Sequence, residues 1–300
     1  MKGVPMAYDG SDNNSLIERF LRLLPHRLRR LAVVPVVRLS GTIGAATPLR
    51  PGLSLAGVTR TLERAFATKG ARAVALVINS PGGSPVQSHQ IYARIRQLAS
   101  EKKIPVLVFV EDVAASGGYM IACAGNEIFC DPSSILGSIG VIGGSFGFTE
   151  LIKKVGIERR LYTSGTLKGS LDPFLPENPE EVERLKAIQR DIHDSFIDLV
   201  KTSRGSRLKG EEDYLFTGEY WAGDRAVKLG LADAIGDLRT ILRARYGEKV
   251  RTPVIAPAAG LLVNLTGRKP GAGAALDVGG FADDLISALE TRAIWARYGL

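Results

Sequence analysis

Pro105-Val-Leu-Val-Phe-Val-Glu-Asp-Val-Ala-Ala-Ser116-Gly-Gly-Tyr-Met-Ile-Ala-Cys-Ala124 decides how this chain folds. Val106 to Val110 is a continuous apolar run of the kind a parallel sheet buries on both faces. The link Glu111 to Ala115 leads to Ser116 and two glycines, and Tyr119 to Ala124 predicts a helix. The same alternation lies upstream. Ala73-Val-Ala-Leu-Val-Ile78 is a second buried-strand run. It stops at the turn Asn79-Ser-Pro-Gly-Gly-Ser84, and a helix is expected from Val86 to Ser100. Val33 to Leu39, closed by Ser40-Gly41, predicts a first strand, and Ser54 is placed to cap a helix running to Lys69. Ile128 to Cys130 predicts one more short strand. Strands and helices alternating over short links specify parallel crossover units, hence an α/β fold.

Further along, helices are expected at Pro179 to Thr202 and Gly223 to Lys228. The first opens with Glu180, Glu181 and Glu183, which favour its dipole. Beyond Arg251 the chain becomes rich in Pro, Gly and Ala. The expected organisation is a basic arm over 1–32, one α/β domain over 33–250, and an extended tail over 251–300. That tail is expected to pack on a neighbouring subunit and to end in a helix near Phe281 to Arg297.

Composition narrows the function classes. A chain that is 45% hydrophobic with 34 glycines can bury a sizeable core, which argues against disorder. Its net charge is +8, but no basic stripe with interleaved aromatics is present, so nucleic acid is not an expected partner. Cys123 and Cys130 form neither a CxxC pair nor a disulfide framework and read as small buried hydrophobes. His26, His89 and His193 are too far apart in sequence for a zinc site of usual spacing. No stretch reaches the ~18–20 apolar residues of a membrane span, and no secretory signal opens the chain; the expected location is cytoplasmic. Leu16 to Leu31, LIERFLRLLPHRLRRL, interleaves apolar and basic residues and is divided by Pro25. It is a candidate for peripheral contact with an anionic membrane; packing on a subunit or on its own core is the alternative.

Ser116 stands where a strand hands over to a helix, at the carboxyl end where open α/β sheets place ligands. The flanking glycines allow a substrate backbone to approach, and the helix start favours a developing oxyanion. A turn of small residues also arises from packing alone. The Asn79–Ser84 turn should lie beside it, as an oxyanion hole or as a plain strand-to-helix turn; it fits no nucleotide-binding pattern. Neither a nucleotide nor a metal motif is found, so no cofactor is implied. A nucleophilic serine needs a base. His89 has no obvious orienting acid. Lysine is the other option, provided its ammonium is dry enough to lose a proton. Lys168 lies among small and apolar residues in Thr163-Ser-Gly-Thr-Leu-Lys-Gly-Ser-Leu-Asp-Pro-Phe174, but spacing alone does not choose it over Lys153 or Lys154.

The blocks Ile78-Asn-Ser-Pro-Gly-Gly, Ala115-Ser-Gly-Gly-Tyr, Gly137-Ser-Ile-Gly-Val and Ser164-Gly-Thr-Leu-Lys-Gly resemble, in order, the signature blocks of the signal peptide peptidase family (the SppA and SohB proteins). Thr217 to Asp233 resembles that family's closing block, so the likeness spans Val33 to Arg245. Each block is weak alone; together they are specific. The resemblance implies a crotonase-like, Clp-protease-like fold and a serine endopeptidase acting on extended apolar peptides such as remnant signal peptides. It implies Ser116 as nucleophile, Lys168 as base, the N–H groups of Gly83 and Gly117 as oxyanion hole, and Ser138 as the hydroxyl that orients Lys168. It further implies a homo-oligomer in which subunits can share a site. Family members that clear signal peptides usually carry an N-terminal membrane span, for which this chain has only residues 16–31. Two other readings remain at this stage: an acyl-CoA enzyme on the same scaffold, needing a carboxylate such as Glu111 or Asp112 in the cleft, and a silent peptide-binding scaffold.

Overall fold

Three parallel strands carry the site: β1 (Val36–Ser40), β2 (Val74–Ser80) and β3 (Val106–Ala115). The computed structural model describes residues 31–44, 52–165, 167–256 and 292–300. Residues 1–30 of the basic arm, with His26, and most of the expected helix near Phe281 to Arg297 therefore lie outside the described residues. Helix α1 (Leu55–Phe66) joins β1 to β2, and α2 (Pro85–Lys102) joins β2 to β3. Ser54 caps α1 by accepting from the Gly57 N–H at 3.3 Å. Ser84 caps α2, and Pro85 takes the first helical position, where its missing N–H costs nothing.

Beyond β3 come α3 (Gly117–Ala122), β4 (Glu127–Cys130) and β5 (Ile135–Gly137), then α4 (Thr149–Lys154) and the long α5 (Pro179–Arg204). The chain continues through α6 (Glu212–Leu215), β6 (Tyr220–Ala222), α7 (Gly223–Lys228), β7 (Ala234–Ile235) and α8 (Leu238–Tyr246). The parallel order is β1-β2-β3-β4-β7, which bears out the α/β expectation. Residues 251–255 lie along the free edge of β1: the Val34 N–H donates to Arg251 at 2.8 Å and the Ile255 N–H to Val36 at 2.8 Å.

The sequence reading ends the third strand at Val110, whereas β3 runs on to Ala115. The acidic pair that suggests a turn is answered by neighbouring strands. Arg38 of β1 donates to both Glu111 oxygens at 2.6 Å, and the Asn79 amide donates to Asp112 at 2.6 Å. The register slips between Ile78 and Ser80, and β3 changes partner, pairing with β4 up to Val110 and with β5 from Val113. Antiparallel β6 then extends β5. This split brings β5 and the residues after it alongside Ser116.

Alternation sorts the core into two faces. Val37, Leu39, Leu76, Ile78 and Val108 face α1, α2 and α3, while Val36, Ala75, Val77, Phe109 and Phe129 meet Leu242 of α8 on the other. Each buried Val, Leu, Ile or Phe among them contributes about 1.5–3 kcal/mol by leaving water. Arg204, at the end of α5, is 1% exposed and grips Asp233 through two hydrogen bonds of 2.9 and 3.0 Å. Burial works against both charges, but the mutual hydrogen bonding outweighs it: Asp233 is held below the usual carboxylate range and Arg204 above its ordinary value. Among the described residues, no helix is long and apolar enough to cross a membrane.

Candidate active site

Ser116 begins α3 with φ 53° and ψ −123°, a conformation L-residues rarely adopt and which costs about 1–3 kcal/mol. A serine at a helix start ordinarily caps it, but here the side chain makes no capping bond, so the hydroxyl is not spent on its own helix. The surroundings hold the strained turn in place. Its N–H donates to the Gly137 carbonyl at 2.8 Å. A Cβ on Gly82 would stand 2.8 Å from Ser116 Cβ and 2.9 Å from the Gly117 nitrogen. One on Gly117 would meet Ser88 Oγ at 2.2 Å. Only glycine lets these segments come so close.

The Asn79–Ser84 turn is tied down on its far side. Ile43 donates to the Gly82 carbonyl and accepts from the Ser84 N–H, each at 2.8 Å. In such a parallel bridge the intervening Gly83 directs its own N–H away from Ile43. The Gly117 N–H opens α3 and has no intrahelical acceptor. Among the described residues, neither group donates a hydrogen bond. Ser138 is the second strained serine, with φ 52°; it follows β5 and donates its N–H to Glu219 at 2.7 Å. Its hydroxyl meets the Tyr298 hydroxyl at 3.4 Å.

Ser116, Gly117, the Gly82-Gly83 turn and Ser138 therefore share one wall. Lys168 does not join them through any hydrogen bond to Ser116 or Ser138 among the described residues. It sits exposed in the 140–178 excursion, with its N–H on the Gly165 carbonyl at 3.1 Å, followed by the Ser170 hydroxyl on the Leu167 carbonyl at 2.9 Å. Within that excursion Phe148 meets Phe174 at 5.6 Å and Arg159 pairs with Asp172 at 2.9 Å, though no described residue of it is fully buried. Yet its outside is apolar and bare: Ile142 is 74% exposed, Phe146 79%, Leu167 61% and Tyr162 89%. Two open hollows, of about 620 Å³ beside Arg159 and Phe174 and about 670 Å³ beside Arg38 and Ile235, lie away from Ser116.

His89 is exposed and His193 is half-buried against the Ile139 carbonyl at 3.0 Å, so neither meets Ser116. Glu111 and Asp112 are occupied by Arg38 and Asn79. Cys123 and Cys130 are buried thiols, both pushed up to about 12 chiefly by desolvation. Sequence reasoning missed Ser88, whose hydroxyl donates to the Ser84 carbonyl at 2.7 Å while it packs under Gly117. It also missed Tyr220 and Tyr298, for which no local pattern gives a signal.

Comparison with known proteins supplies the rest. Residues 98–250 match the profile described as Peptidase family S49. The chain is 55% identical over 291 residues to a Brucella abortus protein named Na(+)/H(+) antiporter NhaA, covering 93% of this chain but 39% of that one. It is 32% identical over 232 residues to Protease 4 of Haemophilus influenzae, covering 76% and 37% respectively. With the Arabidopsis thaliana chloroplastic serine protease SPPA it shares 31% identity over 210 residues, 68% of this chain and 31% of the relative. The chain thus spans well under half the length of these relatives.

Proposed function

Because the chain belongs to peptidase family S49, we propose that it is a serine endopeptidase in which Ser116 is the nucleophile and Lys168 the general base. Ser116 Oγ adds to the scissile carbonyl carbon while its proton passes to Lys168 Nζ. The N–H groups of Gly83 and Gly117 receive the oxyanion, each donor being worth roughly 3 kcal/mol in the transition state. Collapse breaks the C–N bond, the leaving amine takes the proton from Lys168, and an acyl-enzyme remains. Water, deprotonated by Lys168, adds to the ester carbonyl; collapse then breaks the C–Oγ bond, and Ser116 Oγ takes the proton back from Lys168 Nζ. Ser138 orients the lysine. The substrates are extended apolar peptides, remnant signal peptides among them.

One observation carries this reading: a serine held at φ 53° at a helix start, its hydroxyl not used as a cap, between two glycine-walled segments. Such a half-buried, strained strand-to-helix serine is the geometry a nucleophile requires. The exposed Lys168 fits the same reading through assembly. An apolar surface of this kind is a contact surface, and a second copy covering Ile142, Phe146 and Tyr162 would also dry the lysine. The acyl-CoA alternative fares worse, since Glu111 and Asp112 are bound elsewhere. The transport named for the Brucella relative is not carried over. The match takes in 39% of that protein, and the described residues hold no helix able to cross a membrane.

The test is turnover of a fluorogenic apolar peptide by purified protein. Activity should climb with pH as a lysine base loses its proton. It should vanish in Ser116→Ala. A flat profile from pH 6 to 9, or turnover surviving in Ser116→Ala, removes the mechanism.

A further inference from the structure

Residues 292–300, Arg-Ala-Ile-Trp-Ala-Arg-Tyr-Gly-Leu, end a helix in a Schellman turn. Gly299 has φ 77° and donates to Ala296 at 3.2 Å, while Leu300 donates to Trp295 at 3.4 Å. This closure sets Tyr298 at the helix end and aims it at the wall of the candidate site. Its hydroxyl stands 3.5 Å from the Pro81 carbonyl, to which it donates, and 3.4 Å from Ser138 Oγ. Its ring meets Tyr220 edge-on, with centroids 5.1 Å apart and planes at 70°. The Tyr220 hydroxyl in turn donates to the Arg297 carbonyl at 3.0 Å.

The position matters because of what Pro81 and Ser138 flank. Pro81 precedes Gly82, which touches Ser116; Ser138 follows Gly137, whose carbonyl holds the Ser116 N–H. One phenol thus bridges the two segments between which the nucleophile sits. Tyr220 belongs to the same wall, since β6 pairs it with Gly137. A polar tip on two oxygen-bearing groups and a ring against a ring is what a tyrosine side chain requires of a binding site.

We infer that Pro81, Ser138 and Tyr220 form a subsite for a phenolic side chain beside Ser116, and that Tyr298 of the chain itself fills it, so that segment 292–300 competes with peptide substrate. This rests on the peptidase reading for its catalytic consequence, though not for the binding itself. While Tyr298 is docked, its hydroxyl engages the Ser138 Oγ proposed to orient Lys168. Substrates with tyrosine at the matching position gain the same contacts once the segment leaves.

Two measurements on the full chain test it. Tyr298→Ala should raise kcat/KM on a fluorogenic apolar peptide about fivefold to tenfold, the worth of one aromatic pair and its polar tip. Tyr298→Phe should fall between that variant and wild type. Equal kcat/KM in all three, or a loss in Tyr298→Ala, overturns the competition. The second measurement does not need catalysis. A fluorescein-labelled peptide of residues 292–300 should bind Tyr298→Ala protein saturably by fluorescence polarisation, and at least fivefold more weakly when Tyr220→Ala is added. Binding without turnover in any form would sink the peptidase reading and keep the subsite. Absence of binding, or binding indifferent to Tyr220, would sink the subsite.

Discussion

The Ser116 wall and the Lys168 excursion are built on opposite principles. Around Ser116, backbone presses on backbone with no room for a methyl group, and the strained turn is held from three sides. In the Lys168 excursion Gly144, Gly147 and Gly156 have open space, Gly169 is limited only by a Leu161 side-chain tip, and the large apolar side chains face outward. One half of the proposed dyad is finished within the chain. The other half stands exposed and, on the proposed reading, needs a further contact to dry it. A fold can afford a strained nucleophile where its core over-determines the geometry, whereas a base that must lose its charge can be assembled late.

That contrast can be broken most severely at the lysine. Lys168→Ala should lower kcat by about 10²–10⁴-fold, the usual worth of a general base, while leaving the melting temperature within a degree or so. Unchanged turnover would make the excursion mere surface. A large fall in melting temperature would mean that the two regions are not built differently after all.

Next in size is the clamp beneath the Ser116 side. Asp233→Asn leaves the buried Arg204 without its charge partner and should cost about 3–5 kcal/mol in urea unfolding. The pH sign follows from the lowered carboxyl. Its contribution is fully present above about pH 4, the unfolded value, and is lost as pH falls through the depressed folded value. A melting temperature that does not drop more steeply in wild type than in Asp233→Asn below that pH would contradict the clamp.

Smallest, but most specific to the contrast, is a pair of glycine substitutions. Gly82→Ala meets Ser116 and the Gly117 backbone at under 3 Å and should cost at least about 3 kcal/mol, with loss of activity. Gly156→Ala in the excursion has φ 70° but nothing within 4 Å, so only the backbone penalty of about 1–2 kcal/mol applies. Equal costs would erase the distinction.

Much of the wall was legible in the sequence, and little of the excursion. The apolar runs at 73–78 and 106–110 announce buried parallel strands, and Asn79–Ser84 and Ser116–Gly118 mark where those strands release the chain. Glu111 and Asp112 misled because local charge suggests a turn, while their partners Arg38 and Asn79 come from other strands. β5 and β6 are three residues each, too short for any alternation to register. Tyr298 lies far along the chain, and its place beside Ser138 is fixed by tertiary packing alone.

The central question is whether Ser116 is an activated nucleophile. A fluorophosphonate probe, followed by peptide mapping, reads this directly, because only an activated hydroxyl displaces the leaving group at phosphorus. The adduct should map to Ser116, be absent in Ser116→Ala and form at least about a hundredfold more slowly in Lys168→Ala. An adduct on another serine, or the same labelling rate with and without Lys168, would contradict it.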